Sequence, residues 1–340
     1  MNKKFYLSAL EQKVLSAGYD KCYAALCMDY ANRLLENHLP VIFDITHLAG
    51  LLGTEKSNID KIIFSSEYYY RQRCIPKKSG GMRTLHIPSL ELKAIQRWIV
   101  DNILKNIPIS DFATAFSIGS SIVKNAEMHV GQECVLNLDI KDFFPSINFE
   151  QVFRVFSYYG YTKEVSFYLS RLCVYQDELP QGSPASPWLS NIICLKLDKR
   201  LSLLATTYQA RYTRYADDIT FSGSRYIGRL IGITRTILEE EGFRVNEKKV
   251  RMSCPGSQQE VTGLIVNNST VHVNRRYKRI VKQEIYYCLK YGVADHLHHI
   301  QCDKTFYKEH LYGKVFFINM VEPAEGVRLL AELDKIDWDY

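Results

Sequence analysis

The chain has 340 residues, of which 46% are hydrophobic and 24% charged, and its formal net charge is +6. This composition predicts a globular protein with two or three subdomains and excludes a low-complexity chain. The modest basic excess permits an anionic partner without requiring one. No apolar run reaches the roughly 20 residues that cross a membrane, and the N-terminus lacks a signal-peptide pattern. The nine cysteines show no paired spacing. We therefore predict a cytoplasmic protein with no membrane partner.

The N-terminal third predicts helices followed by a hairpin. Apolar residues at helical spacing mark residues 1–60 as helical, with two short helices meeting near Gly53. The stretch "YYYRQRCIPKKSGGMRTLHIPS" predicts a strand, a Lys-Lys-Ser-Gly-Gly turn, and a second strand that ends at Pro88. The amphipathic helix in "LELKAIQRWIVDNILKNI" is expected to stop at Pro108.

The rest of the chain mixes strands with helices. A buried strand is predicted over residues 135–140 and helix over 149–175, and a Gly/Pro-rich loop at 179–187 runs into a long helix. A hairpin at residues 214–223 precedes a helix that ends at Gly242. Strands with a turn at Asn267-Asn268 follow, and helices are predicted from Arg275 onward. Because there is no regular βαβ repeat, this order predicts an α+β fold.

Charge is distributed unevenly near the C-terminus. Residues 244–290 contain ten Lys and Arg against three Asp and Glu, whereas residues 321–340 contain two against six. The basic stretch is a candidate nucleic-acid surface, and a solvated helix face would have the same composition.

Three aspartates form the strongest chemical pattern. Asp139 ends the buried strand, and Asp217 and Asp218 are adjacent at the hairpin tip. Neighbouring carboxylates raise the cost of ionising one another, so a cation is expected to compensate. If the strand lies beside the hairpin, the three converge on a site for two Mg²⁺ ions, which clamp in-line phosphoryl transfer. The alternative is that Asp-Asp simply favours a turn.

Further motifs resemble the reverse transcriptase family. "YADD" at residues 215–218 is similar to its YxDD box, "LDIKDFFPSI" at 138–147 to its first metal-binding motif, and "LPQGSPASPWLSN" at 179–191 to its QGxxxSP loop. "RCIPKKSGGMRTLHIP" resembles the fingers hairpin of the bacterial and group II intron branch, and "GFRVNEKKV" the later motif that carries a lysine. "NAEMH" at 125–129 and "VTG" at 261–263 resemble two signatures of retron reverse transcriptases.

The resemblance implies a right-hand polymerase fold with fingers, palm and a small helical thumb. The implied division places N-terminal helices and fingers at residues 1–130. The palm covers 131–266, with helices at 149–180 shared between fingers and palm. A thumb-like RNA-binding region covers 267–340.

The resemblance also implies the catalytic and nucleotide-binding residues. Asp139, Asp217 and Asp218 would be catalytic and hold the metal, with the carbonyl of Ile140 completing its shell. The implied nucleotide pocket contains Lys77, Lys78, Arg83, Phe144, Gln181, Gly182 and Lys249. In the family a fingers lysine (Lys77 or Lys78 here) and an arginine grip the triphosphate, and guanidinium suits bidentate contacts. Phe144 would be the gate that crowds a ribose 2′-OH. Lys249, or alternatively Lys248, would assist the departure of pyrophosphate.

The expected RNA contacts fall in three places. Asn125 and His129 either contact RNA or order a loop, and Thr262 and Gly263 are placed to reach the primer or RNA. The third place is the basic cluster around one tyrosine, formed by Arg275, Arg276, Tyr277, Lys278, Arg279 and Lys282. Basic groups interleaved with an aromatic ring suit phosphate contact and base stacking.

The activity implied by the resemblance is RNA-directed DNA synthesis from dNTPs with two Mg²⁺ ions. A retron enzyme would copy a structured noncoding RNA and prime from the 2′-OH of an internal guanosine, giving branched RNA-linked single-stranded DNA (msDNA). The resemblance further implies anti-phage defence with a separate effector protein. The alternatives are a group II-like or abortive-infection reverse transcriptase, or a scaffolding subunit that binds RNA and an effector.

Overall fold

The computed structural model describes residues 3–76, 80–301 and 306–338. The helices within these ranges are α1 (Lys3–Ser16), α2 (Lys21–Glu36), α3 (Ile45–Leu52), α4 (Lys56–Phe64), α5 (Leu90–Asn102), α6 (Ile122–Glu127), α7 (Phe149–Tyr158), α8 (Lys163–Cys173), α9 (Ala185–Ile193), α10 (Leu195–Thr207), α11 (Leu230–Glu240), α12 (Arg275–Tyr291), α13 (Val293–His299), α14 (Tyr307–Val321) and α15 (Pro323–Leu333). The strands are β1 (Tyr70–Pro76), β2 (Met82–Pro88), β3 (Cys134–Asp139), β4 (Arg211–Tyr215), β5 (Asp218–Gly223), β6 (Arg251–Ser253), β7 (Glu260–Val261), β8 (Leu264–Ile265) and β9 (His272–Val273). The predicted α+β class is confirmed.

The chain divides into two compact units, each assembled from separate segments. The first contains Met1–Ile118, Ile140–Leu201 and Arg235–Val245, and the second contains Gly119–Asp139, Ser202–Thr234 and Asn246–Tyr340. The three-part division at residues 130 and 266 stays a prediction. Across the described ranges, no helix combines the length and apolar character needed to cross a membrane.

In the first unit, the predicted helices and fingers hairpin are confirmed. Gly53 ends α3 in the left-handed conformation that glycine adopts without strain, with φ of 67°. Strands β1 and β2 pair antiparallel from Tyr70 opposite Pro88 to Pro76 opposite Met82. The turn between them, with Lys77 and Lys78, lies outside the described residues.

Two helix predictions for the first unit need correction. Helix α5 ends at Asn102 rather than at Pro108, and a 3₁₀ turn at Leu104–Asn106 follows, which is a common way for a helix to end. The predicted helix over 149–175 is two helices, α7 and α8. Gly160, with φ of 106°, separates them, and Thr162 caps α8 by accepting a hydrogen bond from the Val165 amide at 3.2 Å.

The second unit is organised around a four-stranded antiparallel sheet with strand order β4-β5-β3-β6. Successive side chains on a strand alternate between the two faces. One face carries apolar side chains that are almost fully buried, including Leu136, Leu138, Ile219 and Phe221. The register places Asp139 opposite Asp218, which puts these two aspartates on the other, polar face.

A disulfide links Cys134, the first residue of β3, to Cys254, which follows β6. Their Cα atoms are 4.2 Å apart although 120 residues separate them in sequence. The cysteine spacing therefore did not predict this pair. Cys173 and Cys288 are buried and form no disulfide.

Small strands and the C-terminal helices complete the second unit. Strands β7, β8 and β9 form a three-stranded antiparallel sheet, which packs Val261 and Leu264 into one core with Ala126 and Val135. Helices α12 to α15 share a second apolar core. Within it, Gly326 of α15 lies so close to Asn319 of α14 that any Cβ would overlap it.

Candidate active site

The three predicted aspartates converge at the open end of the polar sheet face. Asp139 ends β3, Asp218 opens β5 directly opposite, and Asp217 lies in the turn before it. Each offers a carboxylate oxygen, and these atoms all lie within 4.8 Å of one another. The turn depends on Ala216, whose φ is 57°, and the fully buried guanidinium of Arg214 donates to its carbonyl at 3.1 Å.

The charges of the three carboxylates and of Lys249 act on one another and shift the pKa values of Asp218 and Lys249. Desolvation in the cleft, together with the charges of Asp217 and Asp139, raises the pKa of Asp218 to about 6, while Lys249 opposes the shift. Lys249 donates to Asp139 Oδ2 at 2.5 Å, and Asn246 donates to Asp139 Oδ1 at 2.9 Å. Desolvation acts to lower the pKa of Lys249, but its bond to Asp139 and the three carboxylates outweigh it and raise that pKa.

This donor set fits a divalent cation. Clustered carboxylate oxygens are the ligands that hard cations such as Mg²⁺ prefer, and the mutual repulsion of the three groups favours a bound positive charge. Lys249 supplies part of that charge in the structure. Ile140 belongs to the first unit, where it bridges to Val245, and the role of its carbonyl stays a prediction.

A cleft of about 700 Å³ opens beside the triad. Its walls include Asp139, Asp218, Lys248, Lys249, Thr262 and Gly263. The last two residues form the two-residue turn between β7 and β8, with φ of 47° and 83°. Positive φ at both positions is the pattern of a type I′ hairpin turn. It is unusual for a β-branched threonine, and such strain clusters at functional sites.

Asn125 and His129 of the NAxxH motif are both buried. Asn125 is 1% exposed and His129 is fully buried. His129 Nδ1 lies 2.7 Å from Ser222 Oγ on β5, and Nε2 lies 2.7 Å from Thr213 Oγ1 on β4. Burial, with a smaller contribution from Arg211, lowers the pKa of His129 to about 3, so the imidazole is neutral. Of the two roles left open, this geometry favours ordering the protein.

In the first unit, Arg83 and Gln181 line a cavity of about 190 Å³ with His86 and Tyr175. The His86 amide donates to the Gln181 carbonyl at 2.8 Å, which joins the fingers hairpin to the QGxxxSP loop. Gly182 has φ of 127°, and a Cβ there would lie 2.8 Å from the His86 carbonyl oxygen. The close approach that requires this glycine is therefore to strand β2.

Phe143 and Phe144 differ in their surroundings. Phe143 is 4% exposed and packs against Phe243 at 5.9 Å between ring centroids, as expected for a core residue. Phe144 is half-buried, with its ring centroid 6.3 Å from that of Phe116. Its role as a gate for the sugar stays a prediction.

The basic cluster of α12 separates into two groups. Arg275, Arg276 and Arg279 are exposed. Lys278 donates to both oxygens of Glu322, at 2.9 and 2.8 Å, and Lys282 pairs with Glu325. The acidic C-terminal stretch thus neutralises part of the basic one. Tyr277 packs edge-on against Phe317 at 5.5 Å rather than standing free for base stacking.

Sequence reasoning missed several polar residues that organise these sites. Asn137 lies on the same face of β3 as Asp139. Asn246 donates to Asp139, and Arg214 donates to the Ala216 carbonyl in the turn that carries Asp217. In the first unit, Gln96 is fully buried and bonds Tyr70 and Ser183. A polar residue two positions before Asp139 in an otherwise apolar strand was the one signal available for Asn137.

Comparison with known proteins agrees with the site. Residues 75–283 match the family described as reverse transcriptase (RNA-dependent DNA polymerase). The chain is 35% identical to the retron Ec86 reverse transcriptase of Escherichia coli, over 92% of this chain and 96% of that one. It is 33% identical to the retron Mx162 reverse transcriptase of Myxococcus xanthus, over 90% and 69%.

Among solved structures, apo telomerase from Candida tropicalis aligns with a TM-score of 0.48 and 13% identity, over 80% of this chain and 58% of that one, too distant for any functional argument. The family match and the two retron relatives are specific. The chain therefore belongs to the retron reverse transcriptases and is an RNA-directed DNA polymerase.

Proposed function

We propose that this enzyme copies a dedicated structured noncoding RNA that also primes synthesis from the 2′-OH of an internal guanosine. The product would be msDNA, a single-stranded DNA joined to its RNA by a branch. The observation that carries this proposal is the cleft whose walls include both Thr262 and Gly263 of the VTG turn and two of the three aspartates, Asp139 and Asp218. A polymerase that extends one particular RNA needs recognition close to the reacting hydroxyl, because effective catalysis depends on orientation.

The metal is proposed to be two Mg²⁺ ions held by Asp139, Asp217 and Asp218. When bound, they would supply charge neutralisation on the attacking and leaving oxygens. The chain's own residues hold the geometry, since Asn246 and Lys249 orient Asp139 from both of its oxygens. Incoming dNTPs would be contacted by Arg83, by one of Lys77 or Lys78, and by the nucleotide-pocket residues Phe144, Gln181, Gly182 and Lys249.

RNA selection is proposed to come from the exposed face of α12 together with the VTG turn. Arg276, Arg279, Gln283, Tyr286 and Lys290 recur at helical spacing, and all are exposed. At a rise of 1.5 Å per residue they extend over about 20 Å. Such a row supplies salt-dependent phosphate contacts, and the tyrosine can stack on an unpaired base. Lys278 and Lys282 would contribute less, because carboxylates already bind them.

The decisive experiment is to purify the enzyme with its bound nucleic acid and characterise both strands. The expected result is one RNA species joined to DNA, with RNA–DNA linkage that resists RNase trimming at a single guanosine and is released by a 2′–5′ debranching enzyme. The matched control is Asp217→Asn, which should carry the same RNA without DNA. DNA that is never joined to RNA would contradict the priming mode and favour a group II-like or abortive-infection enzyme.

The biological setting is proposed to be anti-phage defence in the cytoplasm with a separate effector protein. The rival function is a scaffold in which polymerisation is incidental. Phage challenge of cells expressing the enzyme, its RNA and the neighbouring gene products separates the two. Loss of protection with Asp217→Asn, despite unchanged effector binding, would require the DNA product. Full protection by that variant would support the scaffold.

A further inference from the structure

Side-chain hydrogen bonds and the short backbone stretches between them form a closed ring of contacts beside the cleft. It runs from α6 to the β4–β5 hairpin, across to β3, on to β7, and back to α6 through the VTG turn. All of its members belong to the second unit. Members of the ring lie on several of the segments that border the cleft or carry the aspartates, so its geometry bears on the active site.

The first link is His129, which lies two residues after helix α6 and joins this segment to both strands of the hairpin that carries two aspartates. Its two ring nitrogens contact Thr213 on β4 and Ser222 on β5, each at 2.7 Å. These strands leave and enter the turn that carries Asp217 and Asp218. Near the same helix end, Arg211 donates to the Met128 carbonyl at 2.9 Å. The hairpin is therefore held from outside the sheet as well as by its ladder.

The second link is Asn125, one turn earlier on the same segment. Its amide nitrogen lies 3.4 Å from Thr262 Oγ1, and that hydroxyl donates to the Ile122 carbonyl at 3.3 Å. Both bonds hold Thr262 in its positive-φ conformation. Asn125 thus supports the turn that forms one wall of the cleft, while His129 supports the hairpin that carries two of the aspartates.

Asn137 closes the ring from the opposite side. It accepts a hydrogen bond from Thr220 Oγ1 at 3.1 Å, and its amide donates to the Glu260 carbonyl at 3.1 Å. Thr220 lies two residues beyond Asp218 on β5, and Glu260 lies two residues before Thr262. The catalytic hairpin and the VTG turn are therefore connected by two independent routes.

We propose that Asn125 and His129 are positioning residues that hold the metal-bearing hairpin and the VTG turn in one frame and do not contact RNA. His129 acts on the aspartates through Thr213 and Ser222, and Asn125 acts on the primer side of the cleft through Thr262. Their burial leaves no surface for a nucleic acid to contact. The proposal rests on the metal-binding role proposed for the triad.

The test separates metal binding from nucleic-acid binding. Thr213→Val removes one bond to His129 with little change of shape, and His129→Leu removes both. Mn²⁺ binding is measured by electron paramagnetic resonance without substrate. Binding of a defined RNA template annealed to a DNA primer is measured by fluorescence anisotropy in EDTA. Thr213→Val should weaken Mn²⁺ binding and lower kcat by about three- to tenfold, because a buried polar group loses its partner. Primer–template affinity should stay within about twofold of wild type.

Thr234→Val is the matched control, because it removes a fully buried hydroxyl on α11 for which the described residues provide no hydrogen-bond partner. It should leave Mn²⁺ binding unchanged. The proposal is overturned if Thr213→Val matches this control in every readout, or if it weakens primer–template binding while Mn²⁺ binding is unchanged. Should His129→Leu fail to fold, Thr213→Val still decides. Failure of the wild-type enzyme to bind Mn²⁺ would instead remove the proposed metal role.

Asn125→Ala tests the other link. It should raise the primer–template dissociation constant about threefold and leave Mn²⁺ binding near the wild-type value. In a Thr262→Val background the same substitution should add nothing, because the shared bond is already absent. Additive effects in this double-mutant cycle would mean that Asn125 acts independently of the VTG turn, which would overturn that half of the proposal.

Discussion

The polar face of the palm sheet and the outer face of α12 use polar side chains in different ways. On the sheet, polar side chains such as Thr213 and Ser222 are buried, and His129 is a fixed partner of both at hydrogen-bond distance. On α12, Arg276 and Arg279 are exposed and stand along one row of the helix. The first region works through geometry, since catalysis needs ligands held in place. The second works through charge, since phosphate contacts tolerate many positions and respond to salt.

Removing a carboxylate should break the first region most severely. Asp217→Ala, Asp218→Ala or Asp139→Ala is expected to lower kcat about a thousandfold or more, because a lost metal ligand disables transition-state charge stabilisation. The melting temperature of Asp217→Ala and Asp218→Ala should not fall, since each substitution relieves repulsion among the three carboxylates. Asp139→Ala should lower it, because Asn246 and Lys249 lose their partner. Primer extension and thermal melting provide the measurements, and Asp295→Ala, an exposed acid on α13, is the control. Normal synthesis by any triad variant would refute the metal assignment.

Replacing three arginines on the outer face of α12 should reduce RNA affinity without a comparable loss of catalysis. Arg275→Gln, Arg276→Gln and Arg279→Gln together should weaken binding of the cognate RNA about tenfold or more and reduce its salt slope by about two to three. Extension of a generic annealed primer–template should fall much less.

The matched control is Lys278→Gln with Lys282→Gln, which removes two charges that are paired with Glu322 and Glu325. This double variant should lower the melting temperature and leave the salt slope nearly unchanged. Binding is measured across a salt series on both nucleic acids. Equal loss on both by the arginine variant would mean that α12 grips any duplex backbone, with RNA identity decided elsewhere.

Lys249 and Lys248, two neighbouring lysines beside the triad, test whether the effect depends on direct contact with Asp139. Lys249→Ala should reduce kcat about tenfold, because its ammonium lies on Asp139 and near the reacting groups. It should also tighten Mn²⁺ binding, since a competing positive charge is removed. Lys248→Ala, which alters the next residue along the same cleft wall, should change each quantity less than about twofold. The reverse ranking would assign the pyrophosphate role to Lys248.

In the first unit, selection of deoxyribonucleotides over ribonucleotides tests the role of Phe144. Phe144→Val should raise incorporation of ribonucleotides relative to deoxyribonucleotides about tenfold, because less bulk would oppose the 2′-OH. The ratio of kcat/KM values for matched nucleotides measures it. Phe116→Val, which alters the neighbouring ring, is the control. Unchanged selectivity in an active Phe144 variant would identify another residue as the gate.

The smallest effect concerns pH and stability. Burial keeps the pKa of His129 near 3 in the folded protein, with Arg211 adding to the shift, whereas an unfolded histidine titrates near 6.5. Below about pH 6.5 the unfolded chain takes up a proton that the folded one cannot, so stability falls by up to about 1.4 kcal/mol per pH unit toward pH 3.

His129→Gln should remove this contribution, and urea unfolding of both proteins between pH 4 and 7 measures the difference. The raised pKa of Asp218 acts with the opposite sign, but it is common to both proteins and cancels. Parallel pH profiles would show that His129 is not held neutral.

Local patterns in the sequence determined the family, the three aspartates that converge in the structure, and most helices and strands. Alternation along β3 and turn chemistry around Asp217 act over a few residues, so they can be recognised without a structure. The same holds for Gly53, where a helix end needs a left-handed residue. The helical periodicity of residues 149–175 predicted one helix, but Gly160 divides it into two.

Only the tertiary structure decided which polar residues work together. His129 meets partners 84 and 93 residues away, Cys134 meets Cys254 across 120 residues, and the lysines of α12 meet glutamates beyond α14. Gly182 also has its reason in strand β2, far from it in sequence. Periodicity reports which face of an element is buried, but a hydrogen bond depends on atoms placed within about 3 Å. That placement arises when the distant segments pack.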